Sequence, residues 1–153
     1  MTPPEFLPIT DADVPGAIAL WERCGTLRPW NPPEQDIADY RAHPTSDMLV
    51  AHDTGRVVAT VGVGHDGHRG FVYYVATDPD MRGRGLGRAA MDAAEAWLAA
   101  RGVKKLQLLV RETNLPVIGF YQRLGYEDGQ CRLMQKWLDP ERDRLFREAT
   151  GGH

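Results

Sequence analysis

The chain reads as a mixed α/β (α+β) protein with a central, mixed but mostly antiparallel sheet of roughly six to seven strands and about four helices. Three observations predict this. Apolar, β-prone runs at Met48 to His52, Val57 to Val63 and Phe71 to Thr77 are joined by the turn segments D-T-G-R and H-D-G-H-R-G, which makes them antiparallel neighbours. An alanine-rich helical stretch follows a loop stacked with glycine and arginine. Beyond it come a strand, a helix and two further strands.

In order, Phe6 to Ile9 reads as a short strand. Asp11 can cap a helix that places Val14, Ala17, Ile18 and Trp21 on one face, and Gly25 ends it. The next segment, T-L-R-P-W-N-P-P-E-Q-D-I, holds Pro29, Pro32 and Pro33 and must be a rigid loop leading into a second helix that stops before Pro44. The three antiparallel strands follow. Gly85 to Arg101 is a helix with Leu86, Ala90, Ala94, Trp97 and Leu98 inward, terminated by Gly102. Lys105 to Val110 reads as a buried strand, and Asn114 to Leu124 as a helix stopped by Gly125. Tyr126 and Glu127 form a short strand and Arg132 to Leu138 a final one. The charged tail from Pro140 is either a short helix or disordered. The expectation is one domain over residues 1–138 and a charged tail over 139–153.

With 153 residues, 42% apolar and 25% charged, the composition is that of an ordinary globular protein able to bury a core. A net charge of −3 argues against a general nucleic-acid surface. No apolar run is long enough to span a bilayer, and no signal peptide is evident, so the expected location is cytoplasmic, with no membrane or nucleic-acid partner. Cys24 and Cys131 are the only cysteines, and His43, His52, His65, His68 and His153 are scattered without ligand spacing, so no metal site is expected. Cys24 reads as a structural thiol, and His65 and His68 as turn residues.

The most informative stretch runs from Tyr73 to Ala90, Y-Y-V-A-T-D-P-D-M-R-G-R-G-L-G-R-A-A. Gly83, Gly85 and Gly87 let backbone N–H groups approach a ligand closely. The helix that follows presents unpaired amides and the positive end of its dipole. Arg82, Arg84 and Arg88 add fixed charge. That combination binds phosphate, so a phosphorylated cofactor is expected. G-L-G-R-A-A also fits the dinucleotide fingerprint G-x-G-x-x-A, with Glu112 downstream. Its context is wrong, because T-D-P-D-M-R-G-R separates strand from glycine and the strand follows two hairpins. A packing role for the glycines beside solvated arginines is the plainer alternative.

The segment R-G-R-G-L-G (Arg82 to Gly87) resembles the [QR]-x-x-G-x-[GA] signature of the GNAT superfamily of acetyl-CoA-dependent N-acetyltransferases. V-A-T-D-P (Val75 to Pro79) resembles that family's fourth strand and the loop after it. E-T-N-L-P-V-I-G-F-Y-Q-R-L-G-Y-E (Glu112 to Glu127) is similar to its E-x-N-x-x-A-x-x-F-Y-x-x-x-G-F block, with Val117 where many members carry alanine. The resemblance covers roughly Phe6 to Leu138 and implies the GNAT fold. Within the superfamily, L-W-E-R-C-G-T-L-R-P-W-N-P-P-E-Q-D-I and H-D-G-H-R-G resemble a bacterial branch, the YpeA-type acetyltransferases.

The resemblance implies acetyl-CoA (coenzyme A) as cofactor, its pyrophosphate on Arg82, Gly83, Arg84, Gly85, Leu86, Gly87 and Arg88. Backbone groups of Val75 and Thr77 would pair with the pantetheine arm, and Asn114 would contact it. Tyr121 would serve as general acid to the departing thiolate; read alone it is better taken as an amphipathic core aromatic with a satisfied hydroxyl, and the F-Y-x-x-x-G-Y block reverses that preference. Asn114 and Tyr121 lie seven residues apart and so face one side of their helix. The base stays open. Tyr73 is a base or base-linked residue, with Asp66, Glu34 or a water chain as alternatives. Arg28, Trp30 and Asn31 in the proline-rich loop combine a carboxylate-binding fork, an aromatic wall and an amide, and so point to a small-molecule amine acceptor carrying a carboxylate; Trp30 packing the loop down beside a solvated Arg28 is the alternative. The expected activity is acetyl transfer to a primary amine of a small molecule by direct attack. The competing readings are a protein N-terminal or lysine acetyltransferase and a non-catalytic acyl-CoA sensor. A homodimer is compatible with the sequence.

Overall fold

The computed structural model describes residues 2–152, so Met1 and His153 lie outside the described residues. The chain forms two compact units, Met1–Leu108 and Leu109–His153.

In the first unit the element order is β1 (Leu7–Pro8), α1 (Val14–Arg23), α2 (Pro33–Ala42), β2 (Ser46–Asp53), β3 (Arg56–His65), β4 (Gly70–Thr77), α3 (Leu86–Ala100) and β5 (Leu106–Gln107). The strands form one sheet in sequence order, antiparallel except for the parallel β4–β5 pair. The β2–β3 turn passes through Thr54 and Gly55 at φ 49° and 77°, the left-handed backbone that a two-residue hairpin turn needs. The fold class is therefore as the residues predict, with five strands rather than six to seven.

The core lies where the periodicity places it, with additions. Ala17, Leu20 and Trp21 of α1 are buried with Ile37 of α2 and with Met48, Val50 and Val57 of the sheet. On α3, Leu86, Ala90, Met91, Ala94 and Leu98 are buried. Trp97, expected inward, is half-buried and carries the Arg101 guanidinium 3.5 Å from its ring centroid, a cation–π contact. The first helical segment is capped by Thr10 rather than Asp11. Thr10 donates its N–H and its hydroxyl to Asp13 Oδ2, each at 2.9 Å, while Asp11 pairs with Arg41 at 2.6 Å.

The second unit holds α4 (Leu115–Arg123) and α5 (Pro140–Thr150). Here the expectations need correction. The strand expected over Lys105 to Val110 is confined to Leu106–Gln107, and no strand forms at Tyr126 and Glu127 or over Arg132 to Leu138. R-L-M-Q-K-W-L lacks strict alternation and finds no ladder partner among the described residues; Met134 and Leu138 are 82% and 89% exposed. A strand is a pairing, not a property of one segment. The tail resolves as a helix. Asp139 accepts the N–H of Glu141 and Arg142, Pro140 follows it, and Gly151 closes the other end at φ 73°. No helix among the described residues is long and apolar enough to cross a membrane.

Candidate functional site

The site is built on an irregularity in β4. Thr60 pairs with Ala76 and Gly62 with Tyr73, so Tyr74 and Val75 stand together opposite Val61. This is a β-bulge. Tyr74 takes up the extra residue in left-handed backbone, φ 54°, a conformation that costs a non-glycine residue about 1–2 kcal/mol. Three interactions hold it there. Its ring stacks on Trp21 with centroids 4.1 Å apart. Its hydroxyl donates to Asp36 Oδ2 on α2. Its carbonyl accepts the buried Thr60 hydroxyl at 2.7 Å, and Thr60 in turn accepts Trp21 Nε1–H at 2.9 Å.

The bulge has two consequences. It breaks the alternation of side chains, so Tyr73, Tyr74 and Val75 all line one cleft of about 520 Å³ together with Thr26, Asn31, Asp36, Asp39 and Tyr40. A regular strand would send neighbours to opposite faces. Gly62 makes room for the Tyr40 ring, since a Cβ there would lie 2.8 Å from it. Burial, then the neighbouring Tyr73 and Asp36, push the Tyr40 phenol well above its ordinary pKa. The second consequence concerns the other edge of β4. Its ladder with β5 covers only Gly70 and Phe71. Beyond Phe71 that edge has no strand partner among the described residues.

At its end β4 runs into the glycine loop. Asp78 is fully buried. Its carboxylate accepts the Asp80 N–H at 2.9 Å and meets Arg23 and Arg56, each at 3.2 Å. The Asp80 amide, acting against the cost of burial, and the two guanidinium groups hold it below the usual carboxylate range. This clamp fixes the entry to the loop. Gly83 and Gly85 then adopt φ 79° and 75°, and Gly85 is the N-cap of α3 with open space around both. The amides of the first turn, from Leu86 onward, lack carbonyls within the helix. Arg82, Arg84 and Arg88 are exposed and make no ion pair among the described residues. A phosphate diester fits this cradle by the chemistry of its donors.

The other expected residues fall as follows. Asn31 lines the cleft, while Trp30 is buried and Arg28 lies outside the lining. Arg28 Nη1 donates to the carbonyls of Gly25 and Leu27, both at 2.8 Å. Cys24 donates its thiol to the Thr77 carbonyl at 3.3 Å, and burial raises its pKa, as befits a structural thiol. Asp66 accepts the amides of Arg69 and His68, which lower its pKa and tie it into the turn after β3. Neither Asp66 nor Glu34 lines the cleft. In the second unit, Asn114 is the N-cap of α4. Tyr121 is half-buried, edge-to-face with Phe120 and Tyr126 at 5.0 and 5.8 Å, and burial raises its pKa above the ordinary phenol value.

Sequence reasoning missed Asp36, Asp39, Tyr40 and Tyr74. The first three carry a readable signal. In P-E-Q-D-I-A-D-Y, positions 36, 39 and 40 share one helix face beside the buried Ile37. Tyr74 carries none, because only the bulge turns it to the cleft.

The profile of the acetyltransferase (GNAT) family matches residues 16–126. An acetyltransferase of Pectobacterium atrosepticum is 46% identical over 131 residues, 86% of this chain and 93% of that protein. An acetyltransferase structure from Agrobacterium tumefaciens superposes with a TM-score of 0.74 at 22% identity, over 87% of this chain and 99% of the other. An aminoglycoside 6′-N-acetyltransferase from Acinetobacter haemolyticus does so at 0.72 and 16% identity, over 88% and 99%. The glycine loop at the start of α3, the bulged β4 and the family match agree, and the chain belongs to the GNAT family of acetyltransferases.

Proposed function

We propose that this protein uses acetyl-CoA to acetylate a primary amine of a small molecule, by direct attack within a ternary complex. One observation carries the reading. The glycine-arginine loop at the N-terminus of α3 leads on from a bulged strand whose residues line a cleft large enough for a small acceptor.

Residues Arg82 to Arg88 would hold the pyrophosphate through backbone amides, with the arginines adding charge. Backbone groups of Val75 and Thr77, beyond the last β4–β5 pair, would take the pantetheine arm, with Asn114 contributing. Bound acetyl-CoA would supply an activated thioester, so no enzyme nucleophile is needed. Two proton demands remain for the chain itself. The acceptor ammonium must lose a proton before it can attack; Tyr73, in the cleft wall and 48% exposed, is the proposed base or link to water. The leaving sulfur must gain one, and Tyr121 is the proposed donor. A β4 backbone N–H would polarise the acyl oxygen.

The test is release of free thiol from acetyl-CoA across amino acids, diamines, aminoglycosides and peptides, with initial rates at varied concentrations of both substrates. Intersecting lines are expected, whereas parallel lines would rule out direct attack in a ternary complex. Tight coenzyme A binding without turnover of any amine would favour the sensor reading, and preference for peptides the protein acetyltransferase.

A further inference from the structure

We infer that the acceptor is an amine that carries a second positive charge, a diamine or oligoamine, and that Asp39 is the residue selecting it. The inference rests on the acetyltransferase reading above and names the substrate class of the same cleft.

Among the described residues, every fixed charge in the lining is negative: Asp36 and Asp39 are its only charged members, beside the phenols of Tyr40, Tyr73 and Tyr74, and no Lys, Arg or His contributes. The two carboxylates stand three residues apart on α2, a spacing of about 5–6 Å between Cβ atoms at which like charges disfavour each other. Asp36 is steadied by the Tyr74 hydroxyl. Asp39, on the exposed rim, accepts only the neutral Gln35 amide at 2.8 Å. Neither has an ion-pair partner among the described residues, whereas Asp11, Asp13 and Asp78 of the same unit each face Arg or His. Three tyrosine rings around the pair add faces that attract cations.

The chemistry of transfer explains why one charge is not enough. The reacting nitrogen must be neutral when it forms the C–N bond. The C–S bond breaks, the sulfur takes a proton, and the nitrogen ends as an uncharged amide. A carboxylate that selects through charge must therefore pair with a different nitrogen, one that stays an ammonium throughout. An acceptor carboxylate would meet two aspartates, with Arg28 outside the lining and bonded to its own loop.

Cadaverine, pentylamine and ε-aminocaproate share one chain length and end in ammonium, methyl and carboxylate. The expected order of kcat/KM is cadaverine first and ε-aminocaproate last. Asp39→Asn should reduce the cadaverine-to-pentylamine ratio by about three- to tenfold. Rising salt should erode the same ratio, because a rim charge is screened. Asp39→Lys should raise ε-aminocaproate relative to cadaverine. An unchanged ratio in folded Asp39→Asn, or ε-aminocaproate preferred by the wild type, would overturn the inference while leaving the acetyltransferase reading in place. If no amine is turned over, calorimetric binding of the three compounds with coenzyme A present decides. Asp39-dependent preference for cadaverine would uphold Asp39 as the residue selecting a second ammonium, for a bound ligand rather than an acceptor, and sink the transferase proposal; no preference would sink the inference too.

Discussion

At the residue scale, three positions carry the arguments that single substitutions can settle. Tyr121 keeps its proton at neutral pH as any phenol does, and burial raises its pKa further. As general acid it should make Tyr121→Phe slower by roughly 10²–10⁴-fold in kcat with acetyl-CoA affinity nearly intact; a change under about threefold, once chemistry limits turnover, returns it to a packing role. With a raised pKa, activity that depends on its proton should persist up to pH about 10 and fall only above that. Gly85 sits at φ 75° in open space. A Cβ there meets no atom of the protein within 4 Å, so the cost of a side chain begins as backbone strain of about 1–2 kcal/mol, together with obstruction of the cradle. Gly85→Leu should fold, with a lowered urea midpoint, and lose coenzyme A binding by calorimetry; unchanged affinity would remove the loop from the cofactor site. Arg82→Ala should weaken binding less, since backbone amides supply most donors.

At the element scale, the bulge in β4 is where the fold departs from regularity, and the Trp21–Thr60–Tyr74 chain of hydrogen bonds holds it. Thr60→Val keeps the volume but leaves a buried indole N–H and a carbonyl without their partner, at about 1–3 kcal/mol for each group left unsatisfied. Urea unfolding should show a lower midpoint at unchanged slope, and acceptor turnover should fall more than coenzyme A affinity, because the bulge shapes the cleft rather than the phosphate cradle. Equal loss of both would mean that the bulge serves stability alone. The long helices and the hairpins were legible in the sequence because caps, turns and apolar periods are local. The bulge was not. It depends on the register of β3 against β4, and the alternation rule assigns Tyr73 and Tyr74 to opposite faces.

At the scale of the whole molecule, Asp78 ties α1, β3 and the loop entry together in the first unit. Its folded pKa is depressed, below the unfolded value of about 3.9. The stability it contributes is therefore present above pH about 4 and is lost as the pH falls through the depressed value. Asp78→Asn should flatten the acid limb of a urea-midpoint profile below pH about 4, and a profile identical to that of the wild type would show that the clamp is not linked to folding. By itself the sequence determined the fold class, the three-stranded meander, the helix boundaries at Gly25, Gly102 and Gly125, and the glycine-arginine loop at the head of α3. These follow from φ restrictions, turn chemistry and apolar period, all set within a few neighbouring residues. It did not determine that Arg132 to Leu138 stays unpaired, that Arg28 bonds its own loop, or that Asp36, Asp39 and three tyrosines share one cleft. Those outcomes turn on which distant groups meet, and a meeting between distant groups is decided by register and packing that no local window of the chain contains.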